Sequence, residues 1–181
     1  MKIKPYLLFS IGIAMLFFTA CVKDTDFDQT DDILVTPVLE LDFLLFTLDS
    51  ESFSDIGVNN LIVSDTTNLN FLNDEFTADN LIKAEFYFKY TNSFSVDFVS
   101  EYKFLDDDNE LQYEIIIPIN AGSIAAPLIT EHIENIEGDN LLAITNAGKV
   151  VVNVIASSPV DNLDGSLNLQ SKATYYLRIE Q

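Results

Sequence analysis

Between Leu167 and Glu180 the side chains alternate in character almost without a break. Leu167, Leu169, Ala173, Tyr175, Leu177 and Ile179 share one side, and Asn168, Gln170, Lys172, Thr174, Tyr176, Arg178 and Glu180 the other. A helix repeats its faces about every 3.6 residues, so a sustained period of two demands a strand with one buried and one solvated face. A strand of this length cannot bury that face alone, and the rest of the chain must supply more sheet.

It does so repeatedly. Ala84, Phe86, Phe88 and Tyr90 alternate with Lys83, Glu85, Tyr87 and Lys89, and Leu111, Tyr113, Ile115, Ile117 and Ile119 form another apolar face. The turn-forming run Asp106-Asp107-Asp108-Asn109 separates that face from Val96 to Leu105, which predicts a hairpin. Leu39 to Leu48 and Lys149 to Ala156 are apolar on both faces and predict central strands covered on both sides, or core strands of a sandwich. Leu61 to Val63 and Leu69 to Leu72 are shorter strand candidates. Helix is scarce: Asp139 is placed to cap Asn140 to Ala147, with Gly148 as a left-handed terminator. For Pro127 to Glu137 a short helix and a bent strand fit equally well. The expected fold is all-β, a single antiparallel β-sandwich over residues 33–181. Its architecture is immunoglobulin-like, with topology left open and one or two short helices. Phe86, Phe88, Tyr113, Ile115, Ile117, Val152, Tyr175 and Leu177 are its expected core.

Twenty-nine acids face nine bases, a formal charge of −20. Phosphate recognition needs clusters of Lys and Arg, so this balance excludes a nucleic-acid binder. A single cysteine excludes an internal disulfide.

That cysteine stands in a telling place. Lys2 and Lys4 precede an uncharged run from Tyr6 to Ala20, too short for a spanning helix and suited to a signal peptide, residues 1–20. The run closes on Phe18-Thr19-Ala20-Cys21, which resembles a bacterial lipobox with Phe where Leu is usual. The resemblance implies cleavage before Cys21, diacylation of its sulfur and acylation of the new amino group. Residues 21–32 then form a lipidated tether carrying Asp24, Asp26, Asp28, Asp31 and Asp32. Lys23 followed by these aspartates is similar to the export signal of Bacteroidetes-type surface-exposed lipoproteins, which implies the outer face of the outer membrane.

Chemistry is harder to find. The one histidine, His132, sits between Glu131 and Ile133 with no nucleophile elbow anywhere, and reads as an ordinary surface residue. Asp24, Asp26 and Asp28 imitate a calcium loop but lack its glycine and closing glutamate. Asp106, Asp108 and Glu110, and Asp161 with Asp164, are spaced for calcium only as any acid-rich chain would be. Tyr87, Tyr176 and Tyr102 read as outward and offer a binding platform, or simply cross-strand packing. The expected protein is a non-catalytic cell-envelope lipoprotein, neither enzyme nor cofactor carrier. It is held to the membrane through Cys21, with a protein partner in an outer-membrane assembly. A glycan-binding module and a small carboxylate-dependent hydrolase are the alternatives.

Overall fold

The structure, a computed structural model, describes residues 34–54, 62–158 and 164–180. Cys21, the acidic run 22–32 and Asp161 lie outside the described residues. The strands are β1 (Leu34–Val35), β2 (Val38–Asp49), β3 (Ile62–Asn68), β4 (Leu81–Asn92), β5 (Phe98–Leu105), β6 (Leu111–Ile119), β7 (Leu128–Ile136), β8 (Lys149–Ala156), β9 (Ser166–Leu177) and β10 (Ile179–Glu180). Three short helices interrupt them: α1 (Glu51–Ser54), α2 (Glu75–Asn80) and α3 (Asp139–Thr145).

The strands build two antiparallel four-stranded sheets, ordered β2-β9-β4-β7 and β3-β8-β5-β6, with β1 and β10 paired separately. The pairs β1–β10, β2–β9, β3–β8, β4–β7 and β5–β6 are nested one inside another. The chain is therefore one long hairpin, with its tip at Asp106–Glu110, rolled so that successive pairs fall in alternate sheets. This is the strand order of a jelly roll. It settles the topology that the strand pattern alone leaves open.

The core lies between the sheets. Phe86, Phe88 and Tyr90 of β4 face Phe98, Tyr102 and Phe104 of β5, flanked by Ile115, Ile117, Val152, Val154, Leu169 and Tyr175, all buried. Small residues make room for the rings: Ala173 stands opposite Phe86, and Ser171 opposite Phe88. Most of the rings meet tilted or edge-on, as Phe88 with Tyr102 at 4.5 Å and Phe86 with Phe104 at 5.6 Å, while Phe86 stacks on Phe88. Every expected core residue is buried except Tyr113, which is half-exposed at the sandwich edge.

Several local expectations need correction. Leu39 to Leu48 is not a central strand: β2 is an edge strand, and its Val38, Leu39, Leu41 and Leu45 are exposed. Residues 69–72 form a turn after β3. Pro127–Glu137 resolves as the strand β7. Asp139 is the first residue of α3 and not its cap; that place falls to Gly138 at a φ of 61°, and the helix ends on a right-handed Asn146 without Gly148 turning left-handed. α2 went unanticipated, although Asp74 gives a visible signal, its carboxylate accepting from the Thr77 amide. Among the described residues no helix is long and apolar enough to cross a membrane.

Candidate binding surface

Where β4 buries its even-numbered residues it presents Lys83, Glu85, Tyr87, Lys89 and Thr91 to solvent. The register aligns these with Tyr176, Thr174, Lys172, Gln170 and Asn168 of β9, and with Asn135, Ile133, Glu131 and Ile129 of β7. β2 adds Val38, Glu40 and Asp42 on one side of a bulge, and Leu45 and Thr47 on the other. The outer face of this sheet thus gathers two tyrosines, several amides and hydroxyls, and three of the six bases among the described residues.

Two of the three lysines are held in ion pairs. Lys172 donates to Glu40 at 2.6 Å and lies 6.0 Å from the centre of the Tyr87 ring, and the Glu40 carboxylate raises its pKa. Lys83 lies 5.3 Å from the Tyr176 ring and within ion-pair reach of Glu85 and Glu137. The Tyr87 hydroxyl donates to Glu131, and that bond raises the Tyr87 pKa above the ordinary phenol value. Between the pairs, Leu45, Ile129 and Ile133 stand exposed. At the bulge a shallow depression of about 250 Å³ is lined by Asp42, Leu45, Tyr87, Gln170, Ser171 and Lys172. Such a surface offers apolar contact, ring faces and neutralised charge. These are the ingredients of recognition.

Of the three tyrosines read as outward, the structure places Tyr87 and Tyr176 together on this face and corrects the third. Tyr102 is fully buried, its hydroxyl bonded to that of Tyr90 across the core.

His132 is a third exposed, at the edge of the sandwich. On β7 it turns inward beside Phe88, and its Nε2 lies 3.1 Å from Glu134 Oε2, while Glu134 Oε1 accepts from the Tyr113 hydroxyl at 2.6 Å. This Tyr–Glu–His chain closes the seam between β6 and β7. Burial, reinforced by the Glu134 carboxylate, pushes the Tyr113 phenol up to about 12, which keeps it protonated at neutral pH. Among the described residues, Glu134 is the one side chain bonded to the His132 ring.

The acids at the hairpin tip are turn-builders. Asp106 Oδ1 accepts from the amides of Asp108 and Glu110, and its Oδ2 from the Gln112 side chain. Asp164 lies among the described residues, but its pair Asp161 does not. Among the described residues no group of three or more His, Cys, Asp or Glu is placed to hold a metal.

A scan against family models gives no match, and neither does a search of curated proteins. Solved structures do show a likeness. A structure of infectious bursal disease virus, Gx strain, is 11% identical with a TM-score of 0.45, covering 83% of this chain and 33% of that one. The VP2 subviral particle of infectious bursal disease virus is 9% identical with a TM-score of 0.43, covering 81% and 38%. The enzymatically active domain of bacteriophage CBA120 tailspike protein 4 is 11% identical with a TM-score of 0.37, covering 80% and 19%. The chain spans between a third and two fifths of the length of these two viral proteins. At these identities the likeness carries neither family nor activity.

Proposed function

We propose that the protein is a non-catalytic binding subunit of a bacterial cell envelope, anchored to the outer membrane through lipidated Cys21 with its sandwich facing the cell exterior. The observation that carries the binding role is the outer face of the β2-β9-β4-β7 sheet, where Tyr87, Tyr176, Leu45, Ile129 and Ile133 stand among paired charges. The anchor rests on the sequence Phe18-Thr19-Ala20-Cys21 at the end of an uncharged run. Two or three acyl chains hold a protein durably where one holds it marginally. Residues 22–33 span at most about 40 Å when extended, enough to stand the sandwich clear of anionic headgroups that repel it.

A protein partner fits this face better than a glycan, because exposed aliphatic side chains share the face with the rings and the chain has no Trp. The amides and hydroxyls of Asn168, Gln170, Thr91 and Asn135 along the same face support a glycan as the second reading. Growth with a clickable palmitate analogue, followed by protease on intact cells, tests the proposal. The expected result is a labelled protein that Cys21→Ala abolishes, with the sandwich accessible before the outer membrane is opened. Undiminished labelling of Cys21→Ala defeats the anchor, and full protection in intact cells defeats the outward orientation.

A further inference from the structure

The two long seams of the sandwich are finished differently. The β6/β7 seam is closed by the hydrogen-bonded chain of Tyr113, Glu134 and His132. The β2/β3 seam is open: Leu44, Phe46 and Leu48 of β2, Val63, Ser64 and Asp65 of β3, and Val152 and Val154 of β8 line a slot of about 300 Å³. Its lining is mainly aliphatic and aromatic, and it runs down into the core. Both strands that flank it are edge strands. Among the described residues β2 pairs only with β9, and β3 only with β8.

We infer that this seam receives an extended segment of a partner protein, which adds to the sandwich as a strand. The inference rests on the reading of the protein as a binding subunit and names the kind of partner. The backbone groups along an unpaired edge are matched along their whole length by another extended backbone. The slot then takes every second side chain of the incoming strand, as Leu44, Phe46 and Leu48 present three apolar positions in alternation. A segment of about five to seven residues with three apolar residues at alternate positions fills it.

Charge selects the flanks. Next to the slot stand Asp65, in its lining, and Asp49, after Leu48, and neither β2 nor β3 carries a base. An incoming strand flanked by Lys or Arg is attracted, whereas a second copy of a chain with net charge −20 is repelled. The occupant is therefore a basic-flanked segment of another protein.

The test uses the native lipoprotein in detergent and a fluorescent peptide, Lys-Lys-Thr-Val-Thr-Val-Thr-Val-Thr-Lys-Lys. A version with proline at the central valine and a version with glutamate flanks serve as comparisons. The expected result is saturable binding of the basic peptide, at least tenfold weaker for both comparisons, with hydrogen-exchange protection appearing in β2 and β3. Filling the slot with Val63→Trp lowers affinity at least tenfold, while Leu142→Ala on the exposed side of α3 leaves it within twofold. Should Val63→Trp fail to fold, Asp65→Lys on the slot rim serves instead, and it narrows the preference for basic over acidic flanks. Equal binding of the proline peptide, protection confined to β6 and β7, or self-association that protects β2 and β3 overturns the inference. Peptide binding does not depend on acylation or orientation. A seam that binds in a protein neither acylated nor exposed refutes the envelope reading alone, and a silent seam in an acylated, exposed protein refutes the strand site alone.

Discussion

Tyr90 and Tyr102 approach from opposite sheets until their hydroxyls bond to each other at the centre of the core, both fully buried. Each hydroxyl is the other's main means of satisfying its polar group. Removing one leaves its partner with only the buried Ser100 hydroxyl in reach, a cost of about 1–3 kcal/mol, whereas removing both leaves two phenylalanines of nearly the same shape. Tyr90→Phe and Tyr102→Phe are each expected to destabilise by about that amount, and the double variant to return close to wild type. Denaturant unfolding of all four proteins reads the coupling directly, and strictly additive losses would contradict the paired arrangement. Phe88 has no such compensation. It packs on Phe43, Tyr102 and His132, and Phe88→Ala is expected to cost about 3–5 kcal/mol in the same measurement. The position of Phe88 was legible from alternation alone. That of Tyr102 was legible from parity, since Phe98, Ser100, Tyr102 and Phe104 fall on one side of β5, opposite Val99, Glu101, Lys103 and Leu105. The polar tip argued for solvent, and only the partner hydroxyl, twelve residues away in sequence, explains why it faces inward.

At the scale of single elements, β2 shows where pattern reading fails and why. Asp42 pairs with Lys172 and Leu45 with Gln170, so Phe43 and Leu44 together oppose Ser171, a bulge that shifts the alternation by one residue. Before it the odd-numbered residues turn inward, and after it the even-numbered Leu44, Phe46 and Leu48 do. Read without the bulge, the strand looks apolar on both faces and therefore central. With the bulge it is an edge strand whose inner side stays apolar throughout. Ser171 makes the bulge tolerable, its hydroxyl accepting from the Leu44 amide and donating to the Leu44 carbonyl, both at 2.8 Å. Ser171→Ala strips both partners from one residue, for an expected loss of about 1–3 kcal/mol. Hydrogen exchange should locate the damage: the Leu44 amide is expected to exchange faster while the β4 and β8 amides keep their order of protection. Uniform acceleration throughout the sheet would place the role of Ser171 elsewhere. The candidate face depends on the same shift, because the bulge is what turns Leu45 outward beside Tyr87 and Gln170. Sequence could find the two tyrosines by parity. It could not find Leu45.

For the whole molecule, the rolled hairpin brings together residues as distant as Glu40 and Lys172, and no local period encodes such a pairing. Strands and their buried faces were readable because each is a local property, whereas strand order follows from how the nested pairs coil around a shared core. That core has a consequence for alkaline stability. Burial pushes Tyr90 up to about 12 and raises Tyr102 and Tyr175 as well, while the same phenols ionise near 10 in an unfolded chain. Each group favours the folded state in its neutral form, so its contribution is complete below pH 10 and is lost as pH climbs from there towards the folded value. In that window the unfolded chain has released protons that the folded one retains. Stability then falls by about 1.4 kcal/mol per pH unit for each phenol, about 4 for these three together, and the half-buried Tyr113, also raised, adds to the fall. Against a typical domain stability of about 5–15 kcal/mol, this loss is enough to unfold the sandwich within a few pH units of 10. Denaturant midpoints measured at stepped pH are expected to hold steady to pH 10 and then drop steeply. The phenolate absorbance of the buried tyrosines should appear together with the loss of sheet signal and not before it. Replacing Tyr90 and Tyr102 together by phenylalanine leaves Tyr175 and Tyr113 among the strongly raised phenols and should flatten the alkaline slope to roughly half. If the slope survives that double substitution intact, these core tyrosines are not what limits the fold at high pH.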